Sequence, residues 1–231
     1  MAALQAWVER TAFPPFSWVY AAAYRFARWL AVDRLRVTRG VVAVYQAGSV
    51  AEEPVWGRSD IDLVVIVDDA DPTVPPRVVE LLRLLHTWLP MIESPERAGV
   101  FTLATLQASF DRSPFLQWRL GPRRARSLLW GRDALASVEL TATPVELARA
   151  ELGWWWRQVW ERWVERRGDA DGYVFHKLVV GAWRAIHHAR TGEIVERRDD
   201  VLALPDLAEA LPPALLACAR ARVPIGPADA W

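Results

Sequence analysis

Two apolar runs separated by a polar, glycine-containing segment constrain this chain more than any other feature. The first run is VVAVYQA at 41–47, and the second occupies 61–67 and contains Asp62, with Asp60 directly before it. Side chains alternate between the two faces of a strand, so we expect Asp60 and Asp62 to project from the same side. Neighbouring carboxylates repel each other unless a cation lies between them, and that cation is most often Mg²⁺ with oxygen ligands. The pattern therefore predicts a metal site at the start of the second strand.

The segment between the two runs begins with a Gly-Ser pair that suits a phosphate group. Backbone N–H groups around Gly48 and Ser49 can approach terminal phosphates closely because glycine has no side chain, and the Ser49 hydroxyl adds a donor. Ser59, directly before the first aspartate, is a further candidate for nucleotide binding. The alternative interpretation is an ordinary turn before a strand whose aspartates face solvent. The spacing, together with both flanking apolar runs, favours the functional interpretation.

The composition bounds the class of protein without naming a partner. The chain has 231 residues, of which 52% are apolar, and this is enough for a folded core. Its 28 basic and 28 acidic residues cancel, so no general charge attracts nucleic acid or an anionic membrane. Cys218 is the sole cysteine, which excludes a disulfide framework and a cysteine metal site. No apolar run reaches the length of a membrane span and the first residues do not resemble a signal peptide, so we expect a cytoplasmic protein.

Apolar spacing predicts strands in the first part of the chain and helices in the second. We expect strands at about 41–47, 61–67 and 98–105, helices at about 16–35 and 77–89, and two helical pieces within 106–130. The sequence at Thr143 predicts a helix start, and a further helix is expected at about 172–190. The sequence therefore predicts an α+β fold, with a small mixed-sheet domain at 1–138 followed by a bundle-like helical domain at 139–231.

These features carry a resemblance to a known family. The first strand, Gly48-Ser49, a gap of ten residues and the sequence DIDL starting at Asp60 resemble the signature of the nucleotidyltransferase superfamily that includes DNA polymerase beta. Within it, the chain is most similar to the aminoglycoside nucleotidyltransferases and their uncharacterised bacterial relatives. The sequence WGRDAL at 130–135 resembles the turn near their domain junction, and residues 176–198 resemble a segment of their helical domain. The resemblance implies a nucleotidyltransferase domain at the N-terminal side, two Mg²⁺ ions, and ATP or another nucleoside triphosphate as co-substrate.

Relatives place a third acidic residue on the next strand, where it completes a metal site or takes a proton from the acceptor. In this chain the matching position falls on or near Arg97, with Glu96 one residue away and Glu93 four residues away. We favour Glu96 over Glu93, although a one-residue shift in a strand reverses the face, so Glu96 requires a late start or a bulge. The resemblance also allows the base to come from the helical domain, where the candidates are Glu151, Glu161 and Glu165.

Basic residues of the helical domain are candidates for binding the nucleotide. The resemblance implies that Lys177, the sole lysine, lies on a helix facing the nucleotide, with Arg184 seven residues later on the same face. Arg197 or Arg198, directly after the TGEIVE sequence, matches a position from which relatives contact phosphate. The alternative for each is a solvated charge at a helix end.

We therefore expect an enzyme in which Asp60, Asp62 and Glu96 are catalytic and the two aspartates also bind the metal. It would transfer a nucleoside monophosphate to a hydroxyl of a small molecule such as an aminoglycoside, with release of pyrophosphate. The favoured donor is ATP, from which AMP would be transferred. One alternative is an antitoxin-type enzyme that modifies a helical partner protein, although such relatives are shorter. Another is a nucleotide-binding relative without activity. A polymerase is disfavoured because the chain has no basic stripe.

Overall fold

The computed structural model describes Thr11 and residues 16–47, 59–95, 99–121, 128–157, 172–195 and 197–221. These residues form two compact units. The first unit takes its residues from Met1–Arg112 and Arg119–Leu140, and the second from Ser113–Trp118 and Thr141–Trp231. The domain limits of 1–138 and 139–231 remain a proposal about which parts fold independently.

The described elements give an α+β fold, as the sequence predicts. In chain order they are α1 (Phe16–Arg36), β1 (Val41–Ala47), β2 (Asp62–Val67), α2 (Val74–Trp88), β3 (Gly99–Thr102), α3 (Leu103–Asp111), α4 (Pro114–Leu120), β4 (Leu128–Gly131), a 3₁₀ turn (Ala134–Ser137), α5 (Pro144–Trp155), α6 (Gly172–Thr191), α7 (Arg198–Leu202), α8 (Pro205–Ala210) and α9 (Pro213–Ala221). None of the described helices is long and apolar enough to cross a membrane.

The strands form one mixed sheet in the order β3-β2-β1-β4. β1 is antiparallel to both β2 and β4, and β2 is parallel to β3. The register of the central pair sets Ala47 opposite Asp62 and Tyr45 opposite Val64. The last residue of β1 therefore lies beside the first residue of β2, so the predicted aspartate and the end of the first apolar run meet at one edge of the sheet.

Helices α1 and α2 cover one face of this sheet and form its core. Each helix buries residues spaced three or four apart, which is the spacing of a single helical face. The buried members of the core are Tyr24, Ala27, Ala31 and Leu35 of α1, Val74, Val78, Leu82 and Leu85 of α2, and Val44, Ile61, Leu63, Val65, Val67 and Ile92. Because β2 is buried along almost its whole length, its start is fixed in register against β1.

Three element boundaries differ from those predicted. The third strand ends at Thr102 and not near 105, because the Thr102 hydroxyl accepts the N–H of Thr105 and Asp69 accepts the N–H of Ala104, so a helix begins at Leu103. Residues 128–131 form strand β4, where the sequence predicts helix. Their pairing with β1 supplies hydrogen bonds that a local pattern cannot reveal. Helix α2 begins earlier than predicted, with prolines in its first turn, where their missing N–H groups have no helical acceptor.

The second unit is organised around the pair α5 and α6. Helix α5 begins as predicted with a capping box, in which the Thr143 side chain accepts the N–H of Glu146 and the Glu146 carboxylate accepts the N–H of Thr143. Along α6, Gly181 lies so close to the Trp155 indole that a Cβ there would lie 2.1 Å from its Nε1 atom. Only glycine therefore permits this approach of the two helices.

Tyr45 connects β1 to the turn that follows β4. Its side chain is fully buried, and its hydroxyl donates to Asp133 Oδ1 at 2.9 Å and accepts the N–H of Leu135 at 3.0 Å. Burial, together with the nearby Asp133 carboxylate, raises the pKa of Tyr45 to about 12. The hydrogen bond from the Leu135 N–H group acts in the opposite direction and lowers this pKa. The neutral phenol is therefore the form that the fold stabilises.

Replacing Tyr45 by Phe should lower the free energy of unfolding by about 1–2 kcal/mol, since the N–H of Leu135 and the Asp133 carboxylate each lose a buried partner. Urea unfolding followed by circular dichroism measures this change. The matched control is Thr87→Val, which removes an exposed hydroxyl that bonds to the Arg83 carbonyl and should change stability by less than about 0.5 kcal/mol. Equal effects of the two substitutions would contradict the role given to Tyr45.

The same phenol predicts a pH dependence of stability. Because the folded state raises the pKa of Tyr45, its contribution is fully present below the ordinary pKa near 10 and is lost as the pH rises towards about 12. The stability difference between wild type and Tyr45→Phe should therefore decrease over this range, by at most about 1.4 kcal/mol per pH unit. Unfolding curves of both proteins at several alkaline pH values test this, and a constant difference would contradict it.

Candidate active site

The two aspartates of the predicted signature lie at the start of β2. Asp62 is the first residue of the strand, and 17% of its side-chain surface is exposed. Asp60, two residues earlier, is exposed, and its negative charge reaches Asp62. Between α1 and this segment, the Tyr24 hydroxyl donates to the carbonyl of the buried Ser59 at 2.8 Å. Helix α1 thus fixes the backbone directly before Asp60.

A third carboxyl group, from Glu93, lies beside Asp62. Ile61 forms a parallel bridge with Ile92, in which the Ile61 N–H donates to the Met91 carbonyl at 2.7 Å and the Glu93 N–H donates to the Ile61 carbonyl at 3.1 Å. Neighbouring residues of paired strands face the same side, so the next residues along, Asp62 and Glu93, are adjacent.

The register explains why Glu93 occupies this place. From the Ile61–Ile92 bridge to the Val64–Gly99 pair, one strand runs from 61 to 64 while its neighbour runs from 92 to 99. Without this excess of four residues, regular pairing from β3 backwards would bring position 97 beside Asp62. Glu93, which precedes these four extra residues, therefore lies beside Asp62, where the sequence predicts an acid near position 97.

Arg119, at the end of α4, binds both carboxyl groups. Its Nη2 atom lies 3.5 Å from Asp62 Oδ2 and 3.3 Å from Glu93 Oε2. The Arg119 and Glu93 side chains are 22% and 11% exposed, so these ion pairs are only partly screened by water. The sequence provides no signal for this arginine, because it depends on where α4 ends relative to the sheet.

The environment of Asp62 disfavours its negative charge. Burial is the largest cause of a strongly raised pKa of Asp62, followed by its hydrogen bond to Glu93 and by the negative charge of that group. The Arg119 guanidinium lowers the pKa of Asp62 and Asp60 raises it further. At Asp62, therefore, Arg119 only partly offsets the causes that favour the neutral form of this carboxyl group.

These residues fit Mg²⁺ by the chemistry of their donors. Carboxylate oxygens are its preferred protein ligands, and Mg²⁺ is usually bound by one or two carboxylates together with substrate phosphates. Among the described residues no group of three or more His, Cys, Asp or Glu side chains is arranged to hold a metal ion.

Several predicted site residues lie outside the described part of the chain. These are Gly48 and Ser49, which follow Ala47 directly in sequence, Glu96, and the candidate bases Glu161 and Glu165. Their predicted roles remain predictions. Of the glutamates considered for the third acidic position, Glu93 is the one that the described structure brings to Asp62.

The basic candidates belong to the second unit and have different surroundings. Arg184 is buried on α6, where its Nε and Nη2 atoms lie 2.7 and 2.5 Å from Glu151 Oε1. A nucleotide phosphate would have to compete with Glu151 for this guanidinium. Lys177 is half-buried on α6, and Arg197 is exposed directly before α7.

Glu151 also receives the indole N–H of Trp155 at 3.2 Å, so one carboxylate oxygen holds side chains of both helices. Burial lowers the pKa of the neighbouring His188, while the charge of Glu151 opposes that change. This cluster joins α5 to α6 and explains why Glu151, a candidate base in the sequence, is almost completely buried.

The fold is similar to that of a solved adenyltransferase. The spectinomycin adenyltransferase AAD(9) from Enterococcus faecialis, crystallised with ATP and spectinomycin, matches with a TM-score of 0.51 over 87% of this chain and 91% of that chain. The two sequences are 13% identical, so the likeness is one of fold. The resemblance to aminoglycoside nucleotidyltransferases is confirmed at this level. The sequence itself matches no protein-family model and no curated protein.

Two substitutions in the carboxyl cluster should change stability in opposite directions. Asp62→Asn should raise the free energy of unfolding at neutral pH by about 1–2 kcal/mol, because a neutral amide can donate to Glu93 without a buried charge. Arg119→Leu should lower it by about 1–3 kcal/mol, because both carboxyl groups lose their cation. Chemical unfolding in the presence of EDTA measures both changes.

The matched controls are Asp68→Asn and Arg36→Leu, which change exposed charges of the same unit. Each should shift stability by less than about 0.5 kcal/mol. Destabilisation by Asp62→Asn would contradict the conclusion that burial and Glu93 disfavour the charge of Asp62.

Proposed function

We propose that this protein is a Mg²⁺-dependent nucleotidyltransferase that transfers a nucleoside monophosphate to a hydroxyl of a small molecule of the aminoglycoside class. The favoured donor is ATP, from which AMP would be transferred. The observation that carries the proposal is the placement of Glu93 beside Asp62, close to Asp60, in a fold similar to that of an adenyltransferase. These carboxyl groups supply a base and the ligands for a cation in one place.

The reaction requires that the acceptor hydroxyl and the α-phosphorus meet at these acids. Glu93 accepts the proton of the hydroxyl, the oxygen forms a bond to the α-phosphorus, and the bond from that phosphorus to the leaving pyrophosphate breaks. Mg²⁺ held by Asp60 and Asp62, when bound, supplies positive charge that stabilises the attacking and leaving oxygens. Much of the rate then comes from placement of the two reactants.

The remaining roles follow from the sequence and from the surroundings of each residue. Backbone N–H groups at Gly48 and Ser49 would cradle the terminal phosphates, and Ser59 would orient the segment before Asp60. For Lys177, Arg184 and Arg197, contact with phosphate oxygens remains what the resemblance implies, and Arg184 would first have to leave Glu151.

Arg119 has a specific part in this proposal. In the described structure it neutralises some of the charge of Asp62 and Glu93. If Asp62 held a divalent cation, its negative charge would be neutralised without Arg119. The guanidinium would then be available to bind the negative charge of the triphosphate. Binding of nucleotide and cation is therefore expected to be mutually dependent.

Pyrophosphate release with Mg-ATP and a panel of aminoglycosides tests the proposal. Asp60→Asn and Asp62→Asn should each lower kcat/KM by at least about 100-fold, because the transition state loses a cation ligand. Glu93→Gln should lower kcat by about 10²–10⁴-fold, the usual contribution of a general base, and Glu96→Gln should have a much smaller effect.

Asp68→Asn, an exposed residue directly after β2, is the control and should leave kcat/KM within about twofold of wild type. If Glu96→Gln is the damaging glutamate substitution, Glu96 is the base and the role of Glu93 is wrong. If Mg-ATP raises the melting temperature but no acceptor releases pyrophosphate, the protein binds nucleotide without transferring it, and the proposed activity is wrong.

A further inference from the structure

Helix α1 has two apolar faces, and only one of them packs against the sheet. Its inner face carries the buried Tyr24, Ala27, Ala31 and Leu35. The opposite face carries Val19, Ala22, Phe26 and Trp29, which repeat at intervals of three, four and three residues. This is the spacing of a helix–helix seam. We call these four residues, with the adjoining Trp18 and Ala23, the outer stripe.

The outer stripe is exposed to a degree that large apolar side chains rarely show together. Trp18 is 70% exposed, Val19 63%, Phe26 55% and Trp29 59%, and the rings of Phe26 and Trp29 lie 5.9 Å apart. Ala22 and Ala23 between them are also exposed. At roughly 150–250 Å² for each aromatic side chain, the three aromatic residues alone expose roughly 300–450 Å². This area is within the range of the largest apolar patch on a typical monomer, and such patches are often functional.

We propose that the outer stripe binds the same stripe of a second copy of this chain in an antiparallel, two-fold arrangement centred on Ala22 and Ala23. In such an interface each contact occurs twice, so the stripe must be complementary to itself. Small residues at the centre allow two helix backbones to approach closely. Val19 and Trp18 of one copy then face Phe26 and Trp29 of the other.

The size of the stripe agrees with the needs of a stable dimer. A standard interface buries about 800 Å² on each partner, of which somewhat more than half is apolar. The aromatic residues of the stripe, together with Val19, supply most of that apolar part. The flanking polar side chains of the 21-residue helix, about 30 Å long, supply the rim. Trp and Tyr are also among the residues that dominate binding energy at interfaces.

A lipid surface is the alternative partner that the experiments must separate from a second copy. Helices that bind membranes by one face carry an excess of lysine and arginine beside the apolar residues. The whole chain has no net charge, but α1 carries Arg25, Arg28, Arg34 and Arg36 against Asp33. We commit to a second copy because the size of the stripe agrees with the apolar area that a dimer interface needs.

Sedimentation velocity of the full chain over a range of micromolar concentrations tests the proposal. Wild type should sediment as a dimer, and Phe26→Glu and Trp29→Glu should each raise the dissociation constant by at least about 30-fold. The matched control is Trp88→Glu on α2, which is 77% exposed but lies outside the stripe, and it should leave the dissociation constant unchanged. Circular dichroism verifies that each variant is folded.

Crosslinking locates the two-fold axis independently of these variants. In a Cys218→Ser background, Ala22→Cys should give a covalent dimer with a short bismaleimide, since the two copies of this residue meet at the axis. Arg34→Cys, exposed and twelve positions further along α1, should not. Failure of Ala22→Cys to crosslink while wild type is dimeric would overturn the arrangement.

Other outcomes would also overturn the proposal. A wild type that remains monomeric at high micromolar concentration excludes self-association through the stripe. If that monomer binds vesicles of anionic lipid, the stripe is a membrane surface. If Trp88→Glu weakens the dimer as much as Phe26→Glu does, the interface lies on α2.

Discussion

The burial of an ionisable residue at the start of the central strand is the constraint on which the site depends. β2 is held on both sides by other strands, and its buried side chains fix its register. Asp62 therefore cannot move into water when Glu93 comes close to it. Its neutral form is favoured by burial and by the hydrogen bond to Glu93, while Arg119 favours its charged form. The protonation of Asp62 is therefore set by neighbours that a separate, exposed carboxylate would not have.

The sequence predicts those parts of the fold and site that depend on local spacing. Asp62 could be assigned to the start of a strand because apolar residues follow it without interruption, and the start of α5 because Thr143 and Glu146 satisfy each other's N–H groups. The α+β fold followed from the order of such segments. β4 could not be predicted, because four residues acquire their conformation from pairing with β1. The role of Glu93 could not be predicted either, because it depends on an excess of chain between two points of contact with β2.

The helical unit shows the same limit for charged residues. Arg184 lies at a helical position that the sequence alone cannot distinguish from a solvated or nucleotide-binding one. In the structure, its partner is Glu151, thirty-three residues earlier in the chain, and the same carboxylate oxygen also accepts from Trp155. The close approach at Gly181 brings these groups together. Whether an arginine is buried depends here on a glycine on the neighbouring turn and not on the charge pattern around the arginine.

The position of β4 has a consequence for how the chain is made. β1 lies between β2 and β4, but β4 follows β1 in the chain by more than eighty residues, so one side of β1 lacks its hydrogen-bonding partner until that later segment has been synthesised. During this interval the backbone groups of Ala43, Val44 and Tyr45 form an open strand edge, which is a template for pairing with another polypeptide. Slower translation of the residues between β1 and β4 lengthens the time for which this edge of β1 is open. We therefore expect the yield of folded protein to depend on the speed of elongation as well as on the stability of the finished molecule.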